Sequence, residues 1–173
     1  RLLQEALNPK ERGKEEMTFG ETLFRAGDKV MQIKNNYKLE WTRPTVLGDP
    51  QGCGVFNGDI GTLMAIHSRD KLVEVLFDDE RTAFYAFGEM GELELAYCIS
   101  IHKSQGSEFP IVLLPLCGGP PQLMTRNLLY TAITRARSRA VIVGRPSTLS
   151  HMVENNHEQT RYSALCGLLA EGY

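Results

Sequence analysis

The sequence lacks the patterns that identify several common classes of site. Its four cysteines are widely spaced and form no Cys-x-x-Cys pair, so neither a zinc site nor a compact disulfide framework is indicated. We expect free thiols in a reducing cytoplasm. No apolar run approaches about 18 residues, which argues against a membrane span. The sequence has no Gly-x-Ser-x-Gly elbow and no histidines at metal-ligand spacing, so a serine hydrolase and a bound metal are not expected.

A Walker-type phosphate loop is also absent, because no Gly-x-x-x-x-Gly-Lys-Ser/Thr occurs. A chain without this loop does not hold the phosphates of a nucleotide alone. The sequence does not begin with Met, and residues 1–8 read as the end of a helix before Pro9. We therefore expect a fragment of a longer protein.

Charge is unevenly distributed along the chain, although the net charge is only −2. Residues 109–153 contain five arginines and no Asp or Glu, and Arg135, Arg137 and Arg139 follow one helix-like run. The planar guanidinium fits phosphate oxygens, which suggests a nucleotide or nucleic acid as ligand. The alternative is a solvated helix end, where basic residues favour the helix dipole. Residues 70–94 are acidic instead, with eight acids against two bases.

The middle of the chain reads as a small β-barrel. Three short strand-like runs, Ile60–His67, Leu72–Phe77 and Arg81–Phe87, are separated by tight turns about every ten residues, which is typical of such a barrel. A strand is also expected at Val30–Ile33. The Pro- and Gly-rich stretch Lys38–Gly54 is read as a long surface loop.

After Leu93 the pattern changes to strand, strand, helix, strand. The run Ile111–Leu116 is continuously apolar, as in strands buried on both faces. This order predicts a mostly parallel sheet with helices packed on it, an α/β fold. The other expected elements are strands at Ala96–Ile101 and Val141–Val143, and helices at Gln122–Arg135, Ser147–Asn155 and Gln159–Leu169.

Polar side chains cluster in residues 100–110, between two expected strands, where ligands bind in open α/β sheets. Gly106 would let the backbone approach a ligand closely. Glu108 could accept hydrogen bonds from a ribose, and His102 and Lys103 could meet phosphates. The residues alone favour a simpler interpretation, a polar turn.

Arg135 lies at the edge of the apolar stripe of the expected helix. At about 100° per residue it falls beside Leu128. An arginine at the rim of a packed face can reach a neighbouring domain, as an arginine finger does when it contacts a terminal phosphate in trans. A structural ion pair across the rim is the alternative role.

Four segments together resemble a known family. Ala96–Pro110 resembles motif V of superfamily 1 DNA helicases, and Asn127–Arg137 resembles motif VI. Gly27–Gln32 and Val55–Gly61 resemble the RecD-like branch, the exodeoxyribonuclease V alpha subunit and its stand-alone relatives.

The resemblance implies a RecA-like parallel sheet, the second helicase domain, at 1–54 and 93–173. It also implies an SH3-like β-barrel inserted at 55–92. The protein would be the C-terminal motor domain of an ATP-dependent 5′–3′ DNA helicase.

The resemblance also implies roles for individual residues. Arg135 would be the arginine finger, and Gln105, Gly106 and Glu108 would line the nucleotide. The residues expected to contact single-stranded DNA are Ser100, His102, Lys103, Asn35 and Asn36.

ATP and Mg²⁺ would be bound mostly by an N-terminal RecA-like domain that this sequence does not include, so the fragment is not expected to hydrolyse ATP alone. Single-stranded DNA and other exodeoxyribonuclease V subunits are the expected partners. Two other functions remain open: a non-catalytic interaction module whose barrel binds a partner protein, and a regulatory nucleotide-binding domain.

Overall fold

A computed structural model describes residues 1–43 and 51–156. The chain forms two units, Arg1–Ser107 and Glu108–Tyr173. The helices are α1 Leu2–Leu7, α2 Arg126–Ile133 and α3 Pro146–Glu154, with a 3-10 helix at Phe87–Glu92. The strands are β1 Glu16–Phe19, β2 Thr22–Arg25, β3 Lys29–Gln32, β4 Asn36–Thr42, β5 Gln51–Val55, β6 Ile60–His67, β7 Leu72–Phe77, β8 Thr82–Ala86, β9 Leu93–Leu95, β10 Phe109–Leu116 and β11 Ala136–Gly144.

The first unit is built on a seven-stranded antiparallel sheet of order β5-β4-β8-β7-β6-β3-β9, beside a separate β1–β2 hairpin. Strands β6 and β7 begin and end at the predicted residues, and β3 and β8 agree with the predictions to within one residue. These strands were readable because short β-branched and aromatic runs bounded by turn residues favour antiparallel pairing.

Side-chain alternation fixes the core of this sheet. On β7, Val73, Val75 and Phe77 point into the core, while the residues between them face outward. On β6 the pairing register shifts between Leu63 and Ala65, so that both Leu63 and Ile66 are fully buried. A β-bulge of this kind breaks the strict period of two, and the sequence pattern does not reveal it.

The sheet is more extensive and more open than a barrel confined to 55–92. It includes β3, β4 and most of β5 before that range, and β9 after it. In the part of the chain that the structure describes, β5 and β9 are edges and no pairing joins them. The prediction of one long loop at Lys38–Gly54 is wrong where the structure describes it, because β4 and β5 pair there through backbone hydrogen bonds. Residues 44–50 lie outside the described residues.

The second unit contains a parallel pair, β10 and β11, connected through α2. Helix α2 begins after Thr125, whose side-chain oxygen accepts from the backbone N–H of Leu128. Leu116, Leu129 and Met152 form its core, with one residue each from β10, α2 and α3. This agrees with a parallel βαβ arrangement and with the predicted helix near Ser147.

Two predictions for the α/β part are wrong. Residues 96–101 are not a strand, because the chain leaves the sheet after Leu95 and enters a series of turns. Strand β10 is not buried on both faces: Ile111 is 59% exposed and Leu113 66% exposed. Among the described residues its sheet has only two strands, and α2 and α3 cover one side. The predicted helix at Gln159–Leu169 lies outside the described residues.

Within residues 1–43 and 51–156, no helix combines the length and apolar character needed to cross a membrane.

Candidate functional site

The turn segment after β9 carries five of the predicted site residues. Ser100, His102, Lys103, Gln105 and Gly106 are all exposed. Local hydrogen bonds shape the segment: the backbone N–H of residue 104 donates to the carbonyl of Ser100 at 3.1 Å, and that of Gln105 donates to the carbonyl of His102 at 3.3 Å. The sequence therefore brings these side chains together on one solvent-facing turn of the first unit.

Gly106 adopts a left-handed backbone, with φ of +86°, and no heavy atom lies within 4 Å of the position that a Cβ would occupy. The left-handed conformation favours glycine, whereas the open space would tolerate a side chain. The open space also leaves the backbone of this turn accessible to a ligand.

The ammonium group of Lys103 forms an ion pair within the first unit, with Glu94 in the middle of β9. Both side chains are well exposed, so the pair is weakly stabilising. A phosphate could compete for Lys103 at little cost to the fold.

Glu108 and Arg135 lie on adjacent backbone segments at the amino ends of the parallel strands. Each is followed directly by a strand, and the backbone N–H of Phe109 donates to the carbonyl of Arg135 at 2.8 Å. The register then pairs Phe109 with Ala136. Residues that lie 27 positions apart in the sequence are therefore neighbours in the fold.

The two arginines here have different surroundings. Arg135 is half-buried, and its Nε donates to the carbonyl of Thr131 on α2 at 3.3 Å. Arg137 is exposed, and its Nε donates to the Glu108 carboxylate at 3.0 Å. The side chain predicted to bind a ribose is thus occupied by an exposed ion pair, which solvent screens.

Asn35 directly precedes β4 and Asn36 is its first residue, and the two side chains differ in exposure and hydrogen bonding. Asn35 is exposed; its Oδ1 accepts from the backbone N–H of Asn57 at 2.9 Å, and its Nδ2 donates to the Tyr37 hydroxyl at 3.3 Å. Asn36 is half-buried, and its Nδ2 donates to Glu92 at 3.0 Å. Its Oδ1 accepts from two backbone N–H groups further along β4. Asn36 therefore has a clear structural role, and its contact with DNA stays a prediction.

An exposed aromatic pair beside Asn35 was missed by the sequence reasoning. Tyr37 is 66% exposed and Phe56 44% exposed, and their rings meet edge to face with centroids 5.7 Å apart. Lys34 and Lys38 flank Tyr37 and are exposed as well. The order Lys-Asn-Asn-Tyr-Lys was the available signal, because basic residues interleaved with an aromatic are typical of single-stranded nucleic-acid contacts.

No three His, Cys, Asp or Glu side chains of the described ranges are grouped as a metal site requires.

Two family models match the chain. Residues 1–77 match the SH3 domain of ATP-dependent RecD-like DNA helicases, and residues 95–143 match the UvrD-like helicase C-terminal domain. The ATP-dependent RecD2 DNA helicase of Deinococcus radiodurans is 34% identical over 145 residues, which cover 84% of this chain and 18% of that protein.

The chain belongs to the RecD-like helicase family. The RecBCD enzyme subunit RecD of Mycolicibacterium smegmatis is 33% identical to the RecD-like chain over 109 residues, 63% of the chain and 19% of that subunit. The chain thus spans less than a fifth of the length of these two relatives.

A solved structure agrees at the level of fold. The structure of two coordinating Pif1 helicases at forked double-stranded DNA aligns with a TM-score of 0.50 and 20% identity, covering 99% of the RecD-like chain and 48% of the other. At this identity the likeness supports a helicase-like fold.

Proposed function

We propose that the RecD-like chain is the second motor domain of an ATP-dependent 5′–3′ DNA helicase. The observation that carries the proposal is that Glu108 and Arg135 directly precede the paired strands β10 and β11, where the backbone N–H of Phe109 donates to the carbonyl of Arg135. An acid suited to a ribose and an arginine suited to a terminal phosphate are thereby held by adjacent strands. The direction of movement follows from the resemblance to the RecD-like branch.

On the nucleotide side, Gln105, Gly106 and Glu108 line the ligand and Arg135 acts as the arginine finger. Arg135 follows α2 by two residues, and its Nε bonds back to the carbonyl of Thr131 on the last turn of the helix, which orients the guanidinium before ATP arrives. Glu108 exchanges its exposed partner Arg137 for the ribose. A first RecA-like domain supplies the Walker contacts to ATP and Mg²⁺, so the chain alone has no ATPase activity.

On the DNA side, Ser100, His102 and Lys103 form one part of the single-stranded track and Asn35 and Asn36 another. The exposure of the turn that carries the first three supports this assignment. Lys103 releases Glu94 to meet a phosphate, which is an exchange between two exposed ion pairs.

The wider organisation belongs to the same proposal. The SH3-like part takes in 55–92 together with the other strands of its sheet, and the β10–α2–β11 part contributes to the second RecA-like domain. Other exodeoxyribonuclease V subunits are candidate partners of the intact protein. The compartment is the cytoplasm, in keeping with the free thiols Cys53, Cys98 and Cys117.

The deciding experiment replaces Arg135 in the full-length protein. Arg135→Ala is expected to lower ATPase turnover by roughly 10³-fold or more, because an arginine finger stabilises charge that develops in the transition state. Arg135→Lys should recover only part of the loss, since an ammonium lacks the planar fork. DNA-dependent ATPase is measured under saturating ATP.

Arg139→Ala is the matched control, because Arg139 is an exposed arginine of β11 only four positions away. It should leave turnover near the wild-type value. Turnover of Arg135→Ala within about tenfold of wild type would remove the finger assignment.

A second candidate function is the protein-interaction module. A groove of about 370 Å³ lies on the sheet of the first unit, with Leu39, Trp41 and Phe84 among its lining residues. Aromatic-lined grooves of small β domains bind extended peptides. A peptide that binds here in the absence of any response to DNA would favour this function.

A further inference from the structure

The carboxylate of Asp28 is fully buried and is the centre of a hydrogen-bond network. Four groups donate to it: Gln4 Nε2 at 2.6 Å, Asn8 Nδ2 at 2.8 Å, the backbone N–H of Arg25 at 2.7 Å and the Tyr97 hydroxyl at 2.8 Å. All four donors are electrically neutral groups. They come from α1 and the residue that follows it, from the end of β2, and from the segment after β9.

The nearby guanidinium of Arg25 does not provide the counter-charge to Asp28 through any of these bonds. It is bound instead to Glu16 at 2.7 Å, to Glu5 at 3.2 Å and to the carbonyl of Asn8. A buried carboxylate requires its hydrogen-bond donors, because each missing donor leaves a desolvated charge without compensation. The network therefore fixes the position of each segment that donates to it.

Tyr97 is the donor that connects this network to the candidate site. It stands two residues after the end of β9 and three residues before Ser100. The neighbouring backbone bond, from Ala96 N–H to the carbonyl of Lys29, keeps the chain on the sheet up to that point. Burial, followed by the hydrogen bond to Asp28, raises the pKa of the Tyr97 phenol to about 12, so the hydroxyl stays protonated as a donor.

We propose that Tyr97 is a positioning residue that holds the turn segment 98–107 in place through the Asp28 network. The role of this turn in contacting DNA rests on the function proposed above, whereas the positioning of the turn by Tyr97 does not. The four donors link the turn to α1 and to the β1–β2 hairpin, so the candidate DNA contacts depend on groups that are distant in the sequence.

Tyr85 offers a matched control for Tyr97. Its hydroxyl also makes one buried hydrogen bond in the same unit, to Gln32 Oε1 at 2.9 Å. Replacing either tyrosine by Phe removes one oxygen and one hydrogen bond to a buried side chain. Only the Tyr97 bond leads to the turn segment, so a general loss of stability and a specific loss of positioning are separable.

The first measurement is amide hydrogen exchange of the 173-residue chain. Tyr97→Phe should speed exchange of amides in 98–107 by roughly tenfold, as expected when one buried hydrogen bond to a charged group is lost. Tyr85→Phe should leave those amides unchanged relative to the remainder of the unit. Equal acceleration in Tyr97→Phe and Tyr85→Phe, compared at the same interval below each melting temperature, would overturn the proposal.

If Tyr97→Phe is too unstable for this measurement, hydrogen exchange of Tyr97→Phe and Tyr85→Phe is compared in trimethylamine N-oxide, which favours the folded state.

The second measurement is the Kd of the chain for an oligo-dT strand. If Tyr97→Phe weakens binding and Tyr85→Phe does not, the result supports both the positioning of the turn by Tyr97 and the role of the turn in binding DNA. If Tyr97→Phe speeds exchange in 98–107 but leaves the Kd unchanged, the result supports the positioning of the turn by Tyr97 and counts against a role of the turn in binding DNA.

Discussion

At the scale of single residues, Arg25 illustrates how the first unit holds a charge inside its core. The guanidinium is 1% exposed and is compensated by Glu16 and Glu5, whose carboxylates lie nearer the surface. Glu16 also binds Lys10 through its other oxygen. Hydrogen bonds from Lys10 and then from Arg25 lower the pKa of the Glu16 carboxyl below its ordinary value of 4.5.

This arrangement predicts a stability that depends on pH. Because the folded-state pKa of Glu16 is depressed, its contribution is fully present above about pH 4.5 and is lost as the pH falls through the folded value. Glu16→Gln should therefore lower the melting temperature at about pH 7, and the gap to wild type should narrow as the solution is acidified below about pH 4.5.

Thermal unfolding across this pH range is the measurement, and Glu21→Gln in the turn of the same hairpin is the control, since Glu21 is exposed. A gap between wild type and Glu16→Gln that stays constant down to about pH 3 would contradict the assignment of Glu16 as the titrating partner.

At the scale of elements, the hydrophobic and turn pattern of the sequence predicted the strands whose bounds depend on local residues. The bounds of β6 and β7 were readable because hydrophobic runs and turn residues lie within the strands themselves. The bulge at Met64 and the end of the sheet at Leu95 could not be predicted, because the first depends on pairing with β7 and the second on pairing with β3. The bond between Tyr97 and Asp28 joins residues 69 positions apart, and no spacing rule identifies it.

The candidate site likewise has features that the sequence predicted and features that depend on strand pairing. Motif-like order placed His102, Lys103, Gln105 and Gly106 together in a polar segment, and the structure has them exposed on one turn. Ser100 was expected at the end of a strand and lies instead beside that turn. The contact between Glu108 and Arg137 depends on strand register, which the sequence did not specify. Tyr37 and Phe56 come together because β4 pairs with β5, a pairing hidden by the expectation of a loop.

The element β4 leads to a prediction about base stacking. Tyr37 presents a largely exposed ring beside Asn35, and Lys34 and Lys38 can meet the flanking phosphates. Tyr37→Ala should weaken binding of the chain to oligo-dT by roughly tenfold or more, because a base stacked on an aromatic ring contributes about 1–3 kcal/mol. Fluorescence anisotropy of a labelled strand measures the change.

Two controls separate stacking from charge. Phe84→Ala removes another exposed ring of the same sheet, 46% exposed on β8, and should leave the Kd unchanged. An abasic strand of equal length should bind wild type and Tyr37→Ala alike. If Tyr37→Ala weakens binding to both strands equally, the ring does not act by stacking.

At the scale of the whole molecule, the salt dependence of DNA binding distinguishes the two proposed functions. A net charge of −2 gives no general attraction to DNA, so any binding must come from local basic sites. Neutralising phosphates releases counterions, and log K then falls with log salt by about 0.7 for each phosphate contacted on a single strand. A protein-interaction module predicts no such slope with DNA.

We expect the chain to bind single-stranded DNA with a negative salt slope that Lys34→Glu reduces, because this exposed lysine directly precedes Asn35 and lies three residues before Tyr37. Arg69→Glu changes the charge equally in the exposed turn between β6 and β7 and should leave the slope unchanged. Titrations at several salt concentrations measure both. An equal effect of the two substitutions would mean that only total charge matters, and the proposed track along β4 would then have to be abandoned.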